Sequence, residues 1–282
     1  LILEPSMNRF IPIVATPLVR VGRFDHPEGL EHCDPSEEVS DCHSVSFVER
    51  GGFALQAKRR EWRMVAGMIL ASGPGEVYRC RHQERHPSDV CLTVGFDPAF
   101  AEEAAYSAGR PANMGLRIRR PANRLAYLKL LLDQALSQPA GTLATELLAG
   151  EIVGAAWGDS DEPQRPFRAG QLAWYAGRVR AACDLFQREF AEDHSLSSLG
   201  RRFGMSPFHF ARVFRELAGT PPHRYLLGVR LGEAARRLGD GASVTDACFA
   251  SGFSHLSHFG RLFQRRFGVL PSQYPQTLGA PR

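Results

Sequence analysis

Lysine is nearly missing from this chain: only Lys58 and Lys129 occur, so 32 of its 34 basic residues are arginine. A genome-wide codon bias gives the same skew, so where the arginines sit says more than how many there are. No apolar run reaches the roughly 18 residues that a membrane-spanning helix needs, which excludes that class and leaves no membrane partner expected. The first stretch, LILEPSMNRFIPIVATPLVRV, is interrupted by proline and arginine and lacks a basic start followed by a clean apolar segment, so it does not read as a secretion signal. The six cysteines, Cys33, Cys42, Cys80, Cys91, Cys183 and Cys248, form no tight framework, and a reducing, cytoplasmic setting follows. The chain begins on Leu1 rather than methionine, which implies a truncated or alternative start.

What is present is a charge asymmetry. Residues 172–282 carry 15 Arg and no Lys against 8 acidic residues, a net +7, whereas residues 1–171 carry 19 basic and 22 acidic residues, a net −3. The basic end is the candidate for a polyanionic partner. A length of 282 residues suits two domains with substantial cores.

The expected fold class is α+β. Residues 43–96 read as short antiparallel strands, with Gly51-Gly52 and Pro74-Gly75 as turns, the pattern of a small sandwich or barrel. Helical spacing follows: Leu125, Leu128, Leu132 and Leu136 share one stripe, and Leu143, Leu147 and Ile152 continue it on a second helix. This helix pair either packs on the barrel or forms a dimer interface. The polar, proline-containing GDSDEPQRPFRAG, 158–170, reads as a linker between domains at 1–157 and 171–282.

The basic half repeats itself in outline. SLSSLGRRFGMSPFHFARVFRELAG (195–219) and SVTDACFASGFSHLSHFGRLFQRRFG (243–268) each give a short helix, a glycine turn, a serine and a second helix with Phe and Arg at matching places. Two helices joined by such a turn form a helix-turn-helix unit. Gly204 suits the left-handed turn, Ser206 the N-cap and Pro207 the first helical position, and Gly252 and Ser254 are expected to take the matching parts in the second copy. Helix phase buries Phe210, Val213, Phe214 and Leu217, leaving Phe208, Ala211, Arg212 and Arg215 outward. In the second copy it buries Phe259, Leu262, Phe263 and Phe267, leaving Leu256, Ser257, Gly260, Arg261 and Gln264 outward. A helix of this kind lies in the major groove of double-stranded DNA. Base readout is expected from Arg212 and Arg261, supported by Phe208, Leu256 and Ser257, and phosphate contact from Arg266 further along, with Arg265 also on the DNA-binding face.

These landmarks, GMSPFHFARVFRELAGTPPHRYLLGVRLGEAARRL followed by VTDACFASGFSHLSHFGRLFQRRFGVLPSQY, resemble the AraC family of bacterial transcription regulators over about 178–274. The resemblance implies a C-terminal all-α domain in which a helix near 222–238 bridges two helix-turn-helix units and sets their reading helices about 34 Å apart. Two departures stand out: Pro275, where the family usually has arginine, and Gly239 with Gly241 at the end of the bridging helix. ASGPGEVYRCRH and VCLTVGF resemble, more distantly, the cupin-like sensor domain of such regulators. That implies an N-terminal cupin-like barrel with a helical dimerisation segment, binding a small-molecule effector, and a homodimeric activator working with RNA polymerase. A regulator that only dimerises, or one that responds to metal or redox state, are the alternatives; a cupin-type metalloenzyme with a DNA-binding tail is a more distant one. The N-terminal half carries no catalytic pattern, so no enzymatic activity and no cofactor are expected.

CRHQERHPSDVC gathers Cys80, His82, His86 and Cys91 within a short span. Cys80 and His82, two apart on a strand, would share one face as paired metal ligands do. A buried cysteine is more often a small hydrophobe, so no metal centre is expected, with these four as the candidates if one exists. HCDPSEEVSDCH, 32–43, also holds two Cys and two His, but its charge and proline favour a solvated loop.

Overall fold

The structure is a computed structural model and describes residues 9–26, 37–82, 88–109, 114–138, 142–158 and 165–274. The chain divides into two compact units, Leu1–Phe167 and Arg168–Arg282.

The first unit is an antiparallel sheet with helices on one face. Its strands are β1 (Arg9–Ala15), β2 (Val19–His26), β3 (Glu38–Val39), β4 (His43–Ala57), β5 (Arg60–Val65), β6 (Ile69–Ser72), β7 (Val77–Arg81), β8 (Asp89–Phe96) and β9 (Arg117–Arg119). The main path runs β1-β2-β8-β4-β6-β9, while the far half of β4 pairs with β5 and β7. Because side chains alternate along a strand, each central strand feeds two cores. Val21, Val45, Phe47, Leu92 and Val94 meet α1 (Pro98–Ser107), α2 (Asn123–Leu136) and α3 (Thr142–Ala156) in one cluster. Val48, Phe53, Leu55, Met64 and Cys91 form the other.

Three sequence expectations change here. Gly51-Gly52 does not turn the chain: Gly51, at φ +69°, sits within β4, where a side chain would collide with the Ser88 carbonyl oxygen, and β4 continues to Ala57. The hairpin turn falls instead at Lys58-Arg59, both with positive φ, a pair of non-glycine residues that composition alone does not flag. On α3 the stripe is also different. Ile152 is buried with Thr145, Ala149, Val153 and Ala156, while Leu143 and Leu147 are 67% and 66% exposed. In the first half of this helix the small residues Thr145 and Ala149 take the inward places, with Leu148 at the edge of the core, and Leu143 and Leu147 are left out. Finally, Val39 and His43 of the 32–43 segment lie in strands, and His43 is buried with its ring edge-on to Trp157.

The second unit is all helical: α4 (Ala169–Arg188), α5 (Leu196–Arg202), α6 (Pro207–Ala218), α7 (Pro222–Gly239), α8 (Val244–Ala250) and α9 (Leu256–Phe267). Gly239 is the last residue of α7 and Gly241 takes φ +90° just beyond it, so neither interrupts the helix. Pro275 lies outside the described residues.

Candidate nucleic-acid interface

Helices α5 and α6 form one helix-turn-helix and α8 and α9 the other. Each short helix is capped by a serine, Ser195 accepting from the Ser198 amide and Ser243 from the Asp246 amide. Each turn contains a glycine in the left-handed region, Gly204 at φ +69° and Gly252 at φ +82°. The long helices then end alike, on left-handed Gly219 and Gly268.

Their beginnings differ. Ser206 caps α6 by accepting from the His209 amide, with Pro207 at the first helical position. Ser254 does not cap α9: His255 occupies the N-cap place and makes no side-chain cap bond. The reason is one additional residue between the turn glycine and the first buried phenylalanine of the long helix, six from Gly204 to Phe210 but seven from Gly252 to Phe259. Aligned on those phenylalanines, Arg212 matches Arg261, Arg215 matches Gln264 and Glu216 matches Arg265.

Rings hold both helices in place. In the first copy Phe210 stacks on Phe203 at 5.5 Å and meets Phe214 at 5.8 Å. In the second copy Phe259 lies 5.0 Å from Phe253 and 5.4 Å from Phe263. Phe210, Val213, Phe214, Leu217, Phe259 and Phe263 are buried, and Leu262 and Phe267 pack at the edge of their core.

The opposite faces are open. Phe208 is 86% exposed at the start of α6, and Leu256 is 42% exposed at the start of α9. Arg212, Arg215, Ser257, Arg261, Gln264, Arg265 and Arg266 are exposed, while Ala211 and Gly260 are half-buried. Arg212 Nη1 pairs with Glu216 Oε2 at 3.4 Å. Arg266 lies 5.7 Å over the Phe267 ring. Residues 252–268 contain no acid, so α9 has no carboxylate of its own to offset its three arginines.

Sequence reasoning missed that some arginines of this half build the fold. Arg178 lies 3.3 Å over the Trp174 ring and donates to the Phe203 carbonyl at 3.0 Å, fixing the first turn to α4. Arg230 donates to the carbonyls of Phe190 and Glu192 at 2.7 and 2.9 Å, tying α7 to the segment after α4. It also missed His255 and His258, both exposed at the start of α9, which counting from Gly252 to Phe259 would have placed there.

In the first unit the described Cys/His candidates stay close together but take different partners. Cys80 packs at the edge of the apolar cluster containing Leu55 and Cys91. Burial, with Glu38 nearby, pushes its thiol well above the ordinary range, and burial does the same for Cys91. Such thiols are poor nucleophiles and poor redox sensors. His86 lies outside the described residues.

His82 instead meets two residues that the sequence reading did not consider. Asp89 Oδ1 accepts from His26 Nδ1 at 2.9 Å and His82 Nε2 at 2.5 Å, and Cys91 Sγ donates to Asp89 Oδ2 at 3.1 Å. Among the described residues this is the group that could hold a metal ion, with its three ligand atoms within 4.8 Å of one another. Burial alone would raise the Asp89 carboxyl; the bonds from His26, His82 and Cys91 outweigh it and hold the carboxyl below its usual range.

Residues 199–277 match a family described as a helix-turn-helix domain. An uncharacterised HTH-type transcriptional regulator of Bacillus subtilis, YbfI, is 33% identical over 237 residues, 77% of this chain and 78% of that protein. The transcriptional activator RhaS of Escherichia coli is 31% identical over 102 residues, 36% of this chain and 37% of that protein. Among solved structures, ToxT of Vibrio cholerae covers 95% of this chain and 99% of its own at 11% identity and a TM-score of 0.36. An AraC-type regulator from Chromobacterium violaceum covers 39% of this chain and 99% of its own at 25% identity and a TM-score of 0.36. Among the described residues no helix is long and apolar enough to cross a membrane.

Proposed function

Since this chain belongs to the AraC family of helix-turn-helix transcription regulators, we propose that α6 and α9 read two successive major-groove segments of an operator, and that the first unit makes this binding respond to a small effector. The observation that carries the DNA reading is the pairing of a buried phenylalanine row with an exposed arginine row on both helices. In α9 no acid of the helix competes with DNA for Arg261, Arg265 and Arg266.

Roles follow from position. Arg212 and Arg261 stand in the first half of their helices, where side chains reach base edges, and an arginine there pairs bidentately with guanine. Ser257 reaches a base edge or phosphate, Gln264 an adenine edge, and Ala211 and Gly260 let the helix backbone approach closely. Phe208 and Leu256 are apolar and exposed at helix starts, suited to the methyl group of thymine. Arg215, Arg265 and Arg266 lie further on and neutralise phosphates.

The protein acts in the cytoplasm as a homodimer that contacts RNA polymerase as an activator. Leu143 and Leu147, exposed one turn apart on α3, are the surface we assign to pairing between copies. Genome-wide mapping of bound DNA, with and without candidate metabolites, tests the proposal. It should yield discrete sites in which two short sequence blocks recur about one helical turn apart, with occupancy that changes with one metabolite. Uniform, low enrichment under every condition would contradict it.

A further inference from the structure

The cluster around Asp89 has a form that DNA binding does not use. Three elements converge on it. His26 is the last residue of β2 and stands directly opposite Asp89, the first residue of β8, in the antiparallel register. His82 follows the end of β7. Gly51 of β4, opposite Asp89 on its other side, lets the start of β8 approach closely because it has no side chain to strike Ser88.

Two imidazole nitrogens meet one carboxylate oxygen, and all three groups are largely out of water: the side chains of His26, His82 and Asp89 are 15%, 7% and 1% exposed. From this geometry we infer that His26, His82 and Asp89 form a binding site for one divalent transition metal ion of the zinc type.

Two nitrogens and one carboxylate oxygen form a borderline donor set. It suits Zn2+, Co2+, Ni2+ or Fe2+, in contrast to the all-oxygen sites of Ca2+ and Mg2+ or the thiolate sites of Cu+. A tetrahedral ion with bonds of about 2.0–2.1 Å holds its ligand atoms about 3.3 Å apart. The two His–Asp separations of 2.9 and 2.5 Å open to that value with shifts under about 1 Å. The ion takes the place of the hydrogens now shared between the rings and the carboxylate. Each displaced proton moves to the opposite ring nitrogen or to solvent.

Cys91 stands behind the site. Its thiol holds Asp89 Oδ2, as an outer partner orients a ligating carboxylate, and its sulfur lies outside the three-atom set. A buried carboxylate whose described partners are two imidazoles and a thiol gains a full counter-charge when the ion enters. The inference concerns the first unit alone and stands whether or not the chain binds DNA.

The test uses the untagged full chain, stripped with chelator, equilibrated with Zn2+, desalted and assayed for metal, with circular dichroism to confirm folding. About one equivalent should remain on the wild type, and affinity should fall at least tenfold in Asp89→Asn and His82→Ala. Asp89→Asn keeps the shape of the side chain, so it reads ligation in a folded protein. Cobalt substituted for zinc should give ligand-field bands without thiolate charge transfer, unchanged in Cys80→Ala. Substoichiometric metal on the wild type would overturn the inference. So would wild-type retention by both variants, or a thiolate band that disappears in Cys80→Ala.

Discussion

Arg212 and Glu216 form an ion pair one turn apart on α6, 3.4 Å between Nη1 and Oε2, whereas the matching pair on α9, Arg261 and Arg265, is all basic. The two long helices, α6 and α9, share a shape but not an electrostatic state. Arg212 is the exposed member of the pair, its side chain 61% open to water against 11% for Glu216, so its guanidinium can turn from Glu216 toward DNA. Arg261 has no acid on its own helix to leave.

This difference gives the first prediction. Arg261→Ala should lose about 1–3 kcal/mol of binding and relax preference at one base position. Arg212→Ala should lose somewhat less, and Glu216→Gln should strengthen binding, most visibly at low salt. Titrations against single-base variants of a selected site, with melting temperatures alongside, measure all three. If Arg261→Ala melts earlier with unchanged base preference, the residue is structural.

Arg266 should behave differently from Arg261. Its removal is expected to weaken all sequences alike and to lower the salt dependence of log Kd by roughly one unit, as one lost phosphate contact does. Binding isotherms at several salt concentrations, on specific and random duplexes, provide the check.

Phe208 and Phe210 are two residues apart yet should separate function from stability. Phe210 is fully buried, and Phe210→Ala should destabilise the second unit by about 3–5 kcal/mol. Phe208→Ala, at an 86% exposed position, should stay within about 0.5 kcal/mol in stability while weakening operator binding. Chemical denaturation and binding assays on both variants decide the matter.

A pH dependence is expected from Glu49. It accepts from Arg23 Nε at 2.7 Å and pairs with Lys129 Nζ at 2.6 Å, joining β2 and β4 to α2. Burial alone would raise its carboxyl, but the bonds from Arg23 and Lys129 outweigh burial and hold it below the ordinary value of 4.5. Its contribution is therefore complete above that value and is lost as pH falls through the lower folded value. Glu49→Gln should lower the melting temperature at neutral pH and flatten the decline below pH 4.5, as measured by thermal melts across acid pH.

Leu143 and Leu147 carry the dimer expectation. Leu147→Arg should shift the full chain toward monomer in sedimentation without lowering its melting temperature, since the side chain is 66% exposed. An unchanged dimer would move the interface elsewhere.

The second unit was legible in the sequence because its signals are local. Helix phase alone separates Phe210 and Phe214 from Arg212, and glycine marks each turn. The failure at Ser254 was also local, one residue of turn length that a match by residue type overlooks. The first unit was harder. Its β segments and the Leu125, Leu128 and Leu132 stripe could be read, but the turn at Lys58-Arg59 could not, because neither residue announces a positive φ. On α3 Ile152 could be read as inward, but Thr145 and Ala149 hold the inward places of the first two turns, which periodicity counted on leucine misplaces. The Asp89 cluster is hidden for another reason: His26 and Asp89 are 63 residues apart and meet only through the β2–β8 register, so closeness in sequence groups His82 with Cys80 and His86 instead.

Selection of bound duplexes from a random pool, run in parallel on the full wild-type chain and on Arg261→Ala, tests the central claim most directly. The wild type should enrich a site with two recurring blocks spaced about one helical turn apart, and the variant should enrich the same site with one position degenerate. No recurrent sequence from the wild type, or an identical site from both proteins, would contradict the assignment of α9 as a reader of DNA bases through Arg261.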